Sequence, residues 1–248
     1  PDAAWMDITV SHPKQSRFCR PEYSLGRRAA GPRDAGGPGD PADPFVSFTT
    51  LATPKNARKA YEKARRKLMT NSPDVAGAAQ ELERAVGLYA DYAVAWCLLG
   101  SARLALDDLG RARHAFQQAA AADPKYLPAY LHLAVMELNS GRLAEAADSA
   151  GRAARLNPNS LVAHYMLAAA HFGLSELGPA KESILVIVNN GEDRRYPWVR
   201  ALLGDIYAAE GTPDAATREF RRFLELESDS LRAGVVRKRL EELEGRKK

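Results

Sequence analysis

From Lys55 onward apolar residues recur at helical spacing, and the pattern itself recurs. Ala78, Ala112, Ala146 and Ala180 stand 34 residues apart, and Ala216 follows at 36. Each alanine keeps similar company. Trp96, Leu99, Gly100, Ala112, Phe116, Ala119 and Pro124 form one set. Tyr130, Leu133, Ala134, Ala146, Ala150, Ala153 and Pro158 form the next. His164, Leu167, Ala168, Ala180, Ile184 and Ile187 follow, and then Leu203, Gly204, Tyr207, Ala216, Phe220 and Phe223. A weaker set, Tyr61, Ala78, Leu82 and Ala85, precedes them all. The period lays out five units at 59–92, 93–126, 127–160, 161–194 and 197–230, interrupted by residues 195–196.

Each unit divides into two helices. The breaks fall at Asn71-Ser72-Pro73-Asp74, Asp107-Asp108, Asn139-Ser140-Gly141, Gly173 to Pro179, and Gly211-Thr212-Pro213, all rich in turn formers. Small residues at Gly100, Ala134, Ala168 and Gly204 admit a close neighbour, and the recurrent alanines offer it a shallow surface. One helix pair cannot bury its own apolar face, so stacking of units must supply the core. Residues 231–244 continue as a helix, with Leu231, Val235, Val236, Leu240 and Leu243 along one stripe. That stripe predicts a cap over the last unit. The expected fold is an all-α solenoid of five helix-turn-helix repeats with a C-terminal capping helix.

The set from Trp96 to Pro124, at its spacing, resembles the signature of the tetratricopeptide repeat (TPR). The resemblance covers residues 59–230. It departs at Arg103, where the family often has tyrosine, and at Arg66, where it has a small residue. More loosely, the run Pro54 to Ala64 is similar to the entry into bacterial TPR proteins that carry a small β domain upstream. The resemblance implies a concave groove that holds peptides or segments of other proteins.

Residues 1–54 break the pattern and are read as an irregular arm. Two β-leaning stretches, Trp5–Val10 and Phe45–Thr50, flank a Pro/Gly-rich run from Gly31 to Pro41. That run is too poor in apolar residues to offset its ordering entropy and is expected to be a disordered linker. The flanks are read either as remnants of a β domain or as segments packed on the array. The chain begins at Pro1, which leaves open a longer precursor, a removed signal peptide, and either a cytoplasmic or a periplasmic setting.

Helical geometry separates two faces of the first helix in each unit. Positions four, seven, eight and eleven pack within the array, so positions two, five, nine and twelve point elsewhere. They are Val94, Cys97, Ser101 and Leu104, then Pro128, Leu131, Val135 and Leu138, then Val162, Tyr165, Ala169 and Phe172. A face this apolar is not an ordinary solvated surface. One reading makes Cys97, Ser101, Leu104, Leu131, Val135, Tyr165 and Phe172, with Lys63 and Lys67, the lining of the groove implied by the resemblance. Another has tight curvature or the N-terminal arm covering them. Lys63 and Lys67 suit a carboxylate clamp, but Leu98, Pro128 and His132 occupy the downstream positions, so binding of a chaperone tail is not expected.

Charge changes this picture only at the start of the array. The net charge of +4 is mild. The first helix nevertheless gathers Lys55, Arg58, Lys59, Lys63, Arg65, Arg66 and Lys67 against Glu62 alone. It is read as a solvated end face first and as a patch for an acidic partner second. Without interleaved aromatics, nucleic acid is the weakest reading.

The remaining chemistry is sparse. Cys19 and Cys97 give neither a disulfide framework nor a zinc pattern. His164 and His171 share a helix face but occupy packing positions. Gly36-Gly37-Pro38-Gly39 is low-complexity sequence and not a phosphate loop. No cofactor, metal or enzyme activity is expected, and no apolar run is long enough to span a bilayer. The expected partner is a protein or peptide. A second copy of the chain and a missing upstream domain are the alternatives.

Overall fold

A computed structural model describes residue 50 and residues 52–245. The expected β-leaning stretches and the Pro/Gly-rich run lie outside the described residues, apart from Thr50. Among the described residues all regular structure is helical. The described helices fall into two compact units that divide inside one helix, between Leu133 and Ala134.

The first unit holds α1 (Lys55–Leu68), α2 (Val75–Leu88), α3 (Ala93–Ala105), α4 (Leu109–Ala122) and the start of α5 (Leu127–Asn139). Its core joins Ala57, Tyr61 and Ala64 of α1 to Ala78, Leu82 and Ala85 of α2, and to Ala95, Leu99 and Ala102 of α3. Arg66 remains exposed, and the buried small residues of α1 are Ala57, Ala60 and Ala64. The second unit holds the rest of α5, then α6 (Leu143–Leu156), α7 (Leu161–Gly173), α8 (Leu177–Asn189), α9 (Trp198–Ala209), α10 (Pro213–Leu226) and α11 (Leu231–Gly245). A short 3-10 turn, Glu192–Arg194, lies between α8 and α9.

The period written in the sequence reappears in the backbone. The residues closing the first helices of four pairs, Asp107, Gly141, Ser175 and Gly211, all have positive φ, between 59° and 75°. One residue on, the amides of Asp108, Arg142, Glu176 and Thr212 each donate to the carbonyls of Arg103, Glu137, His171 and Tyr207 at 2.9 Å. This left-handed closure satisfies carbonyls that the helix end leaves unpaired. The residue whose amide makes the bond is also the N-cap of the next helix. At Asp108 the side chain completes the cap by accepting from the amide of Arg111. The first pair differs. Its connection, residues 69–74, is longer, and the Asp74 amide reaches back to the Lys67 carbonyl instead.

The close approaches also fall where the pattern puts them. A Cβ on Gly100 would sit 2.6 Å from the Phe116 ring, and one on Gly204 would sit 2.4 Å from Phe220. Ala78, Ala112, Ala146, Ala180 and Ala216 are all fully buried.

The terminal helix corrects one detail of the expected stripe. Ala233, Val236, Leu240 and Leu243 of α11 pack on Phe220 and Phe223, whereas Leu231 is 97% exposed and Val235 also faces solvent. The apolar set at i, i+3, i+7 and i+10 seats the helix, and the small Ala233 belongs to it. Arg239 fixes the same seating by donating to both carboxylate oxygens of Asp205.

Candidate functional site

The outward face of α3 consists of Val94, Cys97, Ser101 and Leu104. Val94 and Leu104 are half-buried, while Cys97 and Ser101 are buried. Ser101 Oγ donates to the Cys97 carbonyl at 3.3 Å, so the hydroxyl is spent inside its own helix. Cys97 is fully buried at 0% exposure, yet it stands apart from the core that Leu99 and Ala102 share with α1 and α2. It is disulfide-bonded.

The remaining residues of the face are also enclosed. Every residue from Tyr126 to Leu138 is buried, so α5 shows no solvated side at Pro128, Leu131, Val135 or Leu138. In α7, Tyr165 and Ala169 are buried and Val162 and Phe172 are half-buried. The Tyr165 ring packs edge-on against Trp198 at 4.2 Å between centroids. Burial also pushes its phenol up from the usual value. Tyr165 therefore takes part in packing within its own unit, a role that its helix position alone did not reveal.

Lys63 and Lys67 have local employment. Lys63 pairs with Glu81 at 2.5 Å and holds that carboxyl below its usual range. Lys67 pairs with Asp74 at 2.6 Å, and its hydrogen bond together with that of the Gly77 amide lowers Asp74 in the same way. Both ion pairs tie α1 to the segment that follows it.

Lys55, Arg58, Lys59, Glu62, Lys63 and Arg66 line an open depression of about 720 Å³ along α1. Arg65 leaves this face. It pairs with Glu62 at 3.4 Å and lies 5.9 Å from the centre of the Tyr61 ring. The depression can attract anionic groups, but among the described residues its lining holds no aromatic ring on which a base could stack.

Both histidines of α7 make structural bonds. His164 Nε2 lies 2.9 Å from the Pro158 carbonyl, six residues back. Trp96, one position of the cycle earlier by two units, donates its indole N–H to the Ala90 carbonyl, also six residues back, at 2.7 Å. The imidazole thus reproduces the indole's bond to the preceding link. His171 Nδ1 lies 2.6 Å from Glu176. Arg103, at the tyrosine position of the family, pairs with Glu83 of α2 and lies 3.9 Å from Asp108. Among the described residues no group of three or more histidine, cysteine or acidic side chains is placed to hold a metal. No described helix is long and apolar enough to cross a membrane.

Consecutive helix pairs, left-handed closures at a fixed phase and glycine-to-phenylalanine contacts define an α-solenoid of helix-turn-helix units. Residues 93–126 match the tetratricopeptide repeat model, and the chain has the fold of a tetratricopeptide-repeat solenoid. Solved structures share the fold. MamA from Desulfovibrio magneticus RS-1 is 19% identical with a TM-score of 0.62, over 72% of this chain and 99% of that one. YrrB, described as a TPR protein with an unusual peptide-binding site, is 17% identical with a TM-score of 0.65, over 73% and 92%. A tetratricopeptide repeat protein from Parabacteroides merdae ATCC 43184 is 16% identical with a TM-score of 0.66, over 77% and 75%. No curated protein matches the chain.

Proposed function

We propose that this chain is a non-enzymatic scaffold that receives a peptide or helix of a partner protein on the outward face of its first helices. A tetratricopeptide-repeat fold supports a role in protein–protein interaction. The observation that carries the finer reading is the apolar set on α3. Leu104 is half-buried near the end of α3, whereas Val94 packs on the α1–α2–α3 core and Cys97 is buried. Apolar side chains beyond the needs of packing are surface suited to a ligand. The half-buried Leu104 marks that surface.

Leu104→Glu is the informative change, because this side chain is already partly solvated. Affinity capture by the full chain should recover a partner that the Leu104→Glu chain loses by tenfold or more, with the unfolding midpoint held within about 0.5 kcal/mol. Equal capture by both would refute the assignment. Tyr165 is a poor choice for such a test, since its loss would disturb the Trp198 contact.

A further inference from the structure

The cations of α1 stand where they do the fold no service. Lys55, Arg58 and Lys59 crowd the start of the helix, whose first turn carries no acidic residue, and Pro54 supplies no side-chain cap. The N-terminal end of a helix holds partial positive charge, so the backbone repels cations there. Lys55 and Lys59, and again Lys59 and Lys63, stand at i and i+4, a spacing at which like charges destabilise a helix. The cations lining the depression, Lys55, Arg58, Lys59, Lys63 and Arg66, are all exposed. Charges that oppose their own helix point to a ligand. We propose that the basic row of α1 docks an extended acidic segment of a partner protein, one with carboxylates at alternate positions. This strip is separate from the α3 face and stands whether or not that face binds.

Local partners leave most of this charge unspent. Lys63 is paired with Glu81 of α2, which closes one edge of the strip. Arg58 reaches the Thr53 carbonyl, at 3.5 Å. Glu62, the carboxylate in the lining, is turned to Arg65. Lys55, Lys59 and Arg66 hold no ion pair among the described residues. Successive positions of the row Lys55, Lys59, Lys63 lie about 6 Å apart along the helix axis. An extended peptide advances about 6.6 Å for every two residues and turns alternate side chains to the same side. Every second residue of such a segment therefore meets one cation of the row, with Arg58 and Arg66 on the row beside it.

Nucleic acid fits the strip less well. The lining offers a base no aromatic ring among the described residues, and the Arg65 guanidinium, which could stack on one, lies against Tyr61 instead. Glu62 and Glu81 also stand beside the cations, where a continuous run of phosphates would meet them. A peptide with its charge at every second residue can keep to the cations between them.

Fluorescence anisotropy on the full chain, with a short labelled peptide of alternating glutamate and serine, tests the proposal. The parent chain should bind it, more tightly at low salt, and by threefold or more over a peptide of the same composition with its glutamates in one block. Lys55→Glu/Lys59→Glu should weaken binding by tenfold or more. Lys125→Glu/Lys238→Glu makes the same change in net charge at exposed cations elsewhere and should weaken it by less than threefold. No binding by the parent, equal losses in the two variants, equal affinity for the two peptides, or tighter binding of a single-stranded oligonucleotide of the same charge would each overturn the proposal. Because Lys55→Glu/Lys59→Glu relieves the start of α1, its urea midpoint should match or exceed the parent's. A lower midpoint would show that these cations serve the fold, which also overturns the proposal.

Discussion

At the scale of single residues the fold depends on places where a side chain is absent. Gly100 faces the Phe116 ring at a separation that no Cβ tolerates. Phe116 is fully buried and stacks on His132 with ring planes 4° apart and centroids 4.5 Å apart, so it has nowhere to retreat. Gly100→Ala should therefore destabilise the chain by about 1–3 kcal/mol, despite the better helix propensity of alanine. Urea unfolding of the two proteins checks this, and a gain in stability would show that the ring can move. The pattern of small residues was legible in the sequence because packing repeats with the cycle. The positive φ at Asp107 and Ser175 was not, because neither is the glycine that usually betrays such a backbone. Only their phase, shared with Gly141 and Gly211, could have exposed them.

At the scale of elements the irregular link before α9 is held by charge. Arg200 donates to Asp193 at 2.9 Å and to Glu219 of α10 at 2.7 Å. Burial pushes the Asp193 carboxyl up, but the hydrogen bond and charge of Arg200 outweigh it and leave the carboxyl below its usual range. Arg200→Met would strand that carboxylate in a buried site. Its cost should exceed that of Arg222→Met, whose exposed pair with Glu225 contributes about 0–1 kcal/mol. Thermal midpoints of the two variants give the comparison, and equal losses would contradict the role of the link. The sequence showed the two-residue slip at 195–196 but not its repair, since Asp193, Arg200 and Glu219 belong to no repeating pattern. The terminal stripe was misread for a related reason. Leu231 outranks Ala233 in hydrophobicity, yet α11 is oriented by its fit to Phe220 and Phe223. The outward apolar face of α3 was visible in the sequence, whereas its enclosure depends on contacts that helical periodicity does not encode.

At the scale of the molecule two buried titrating groups oppose each other. Burial drops His132 from 6.5 to about 4, so the unfolded chain takes up this proton first as the solution is acidified. Its neutral form contributes stability that is present above pH 6.5 and is lost as the pH falls towards 4. Burial raises Asp205 from 3.8 to about 6, although the charge and hydrogen bonds of Arg239 pull it down. A raised carboxyl has the opposite sign. Its contribution is present below pH 3.8 and is lost as the pH rises through 6. The two slopes therefore offset each other between pH 4 and 6. His132→Gln should remove one of them, raising stability at pH 4 relative to pH 7 by on the order of 3 kcal/mol against the parent chain. Urea midpoints across that range provide the check, and parallel profiles would mean that His132 titrates normally.

The left-handed closures have a consequence for how such a chain can change length. At Asp108, Arg142, Glu176 and Thr212 one residue both completes the end of one helix and begins the next. Adding a residue there would break two terminations at once. The links between pairs carry no such double duty, and the link from Asn190 to Pro197 already accommodates surplus residues through its 3-10 turn. Length variation is thus kept out of the four left-handed closures and falls at the seams between pairs or in the longer link of the first pair.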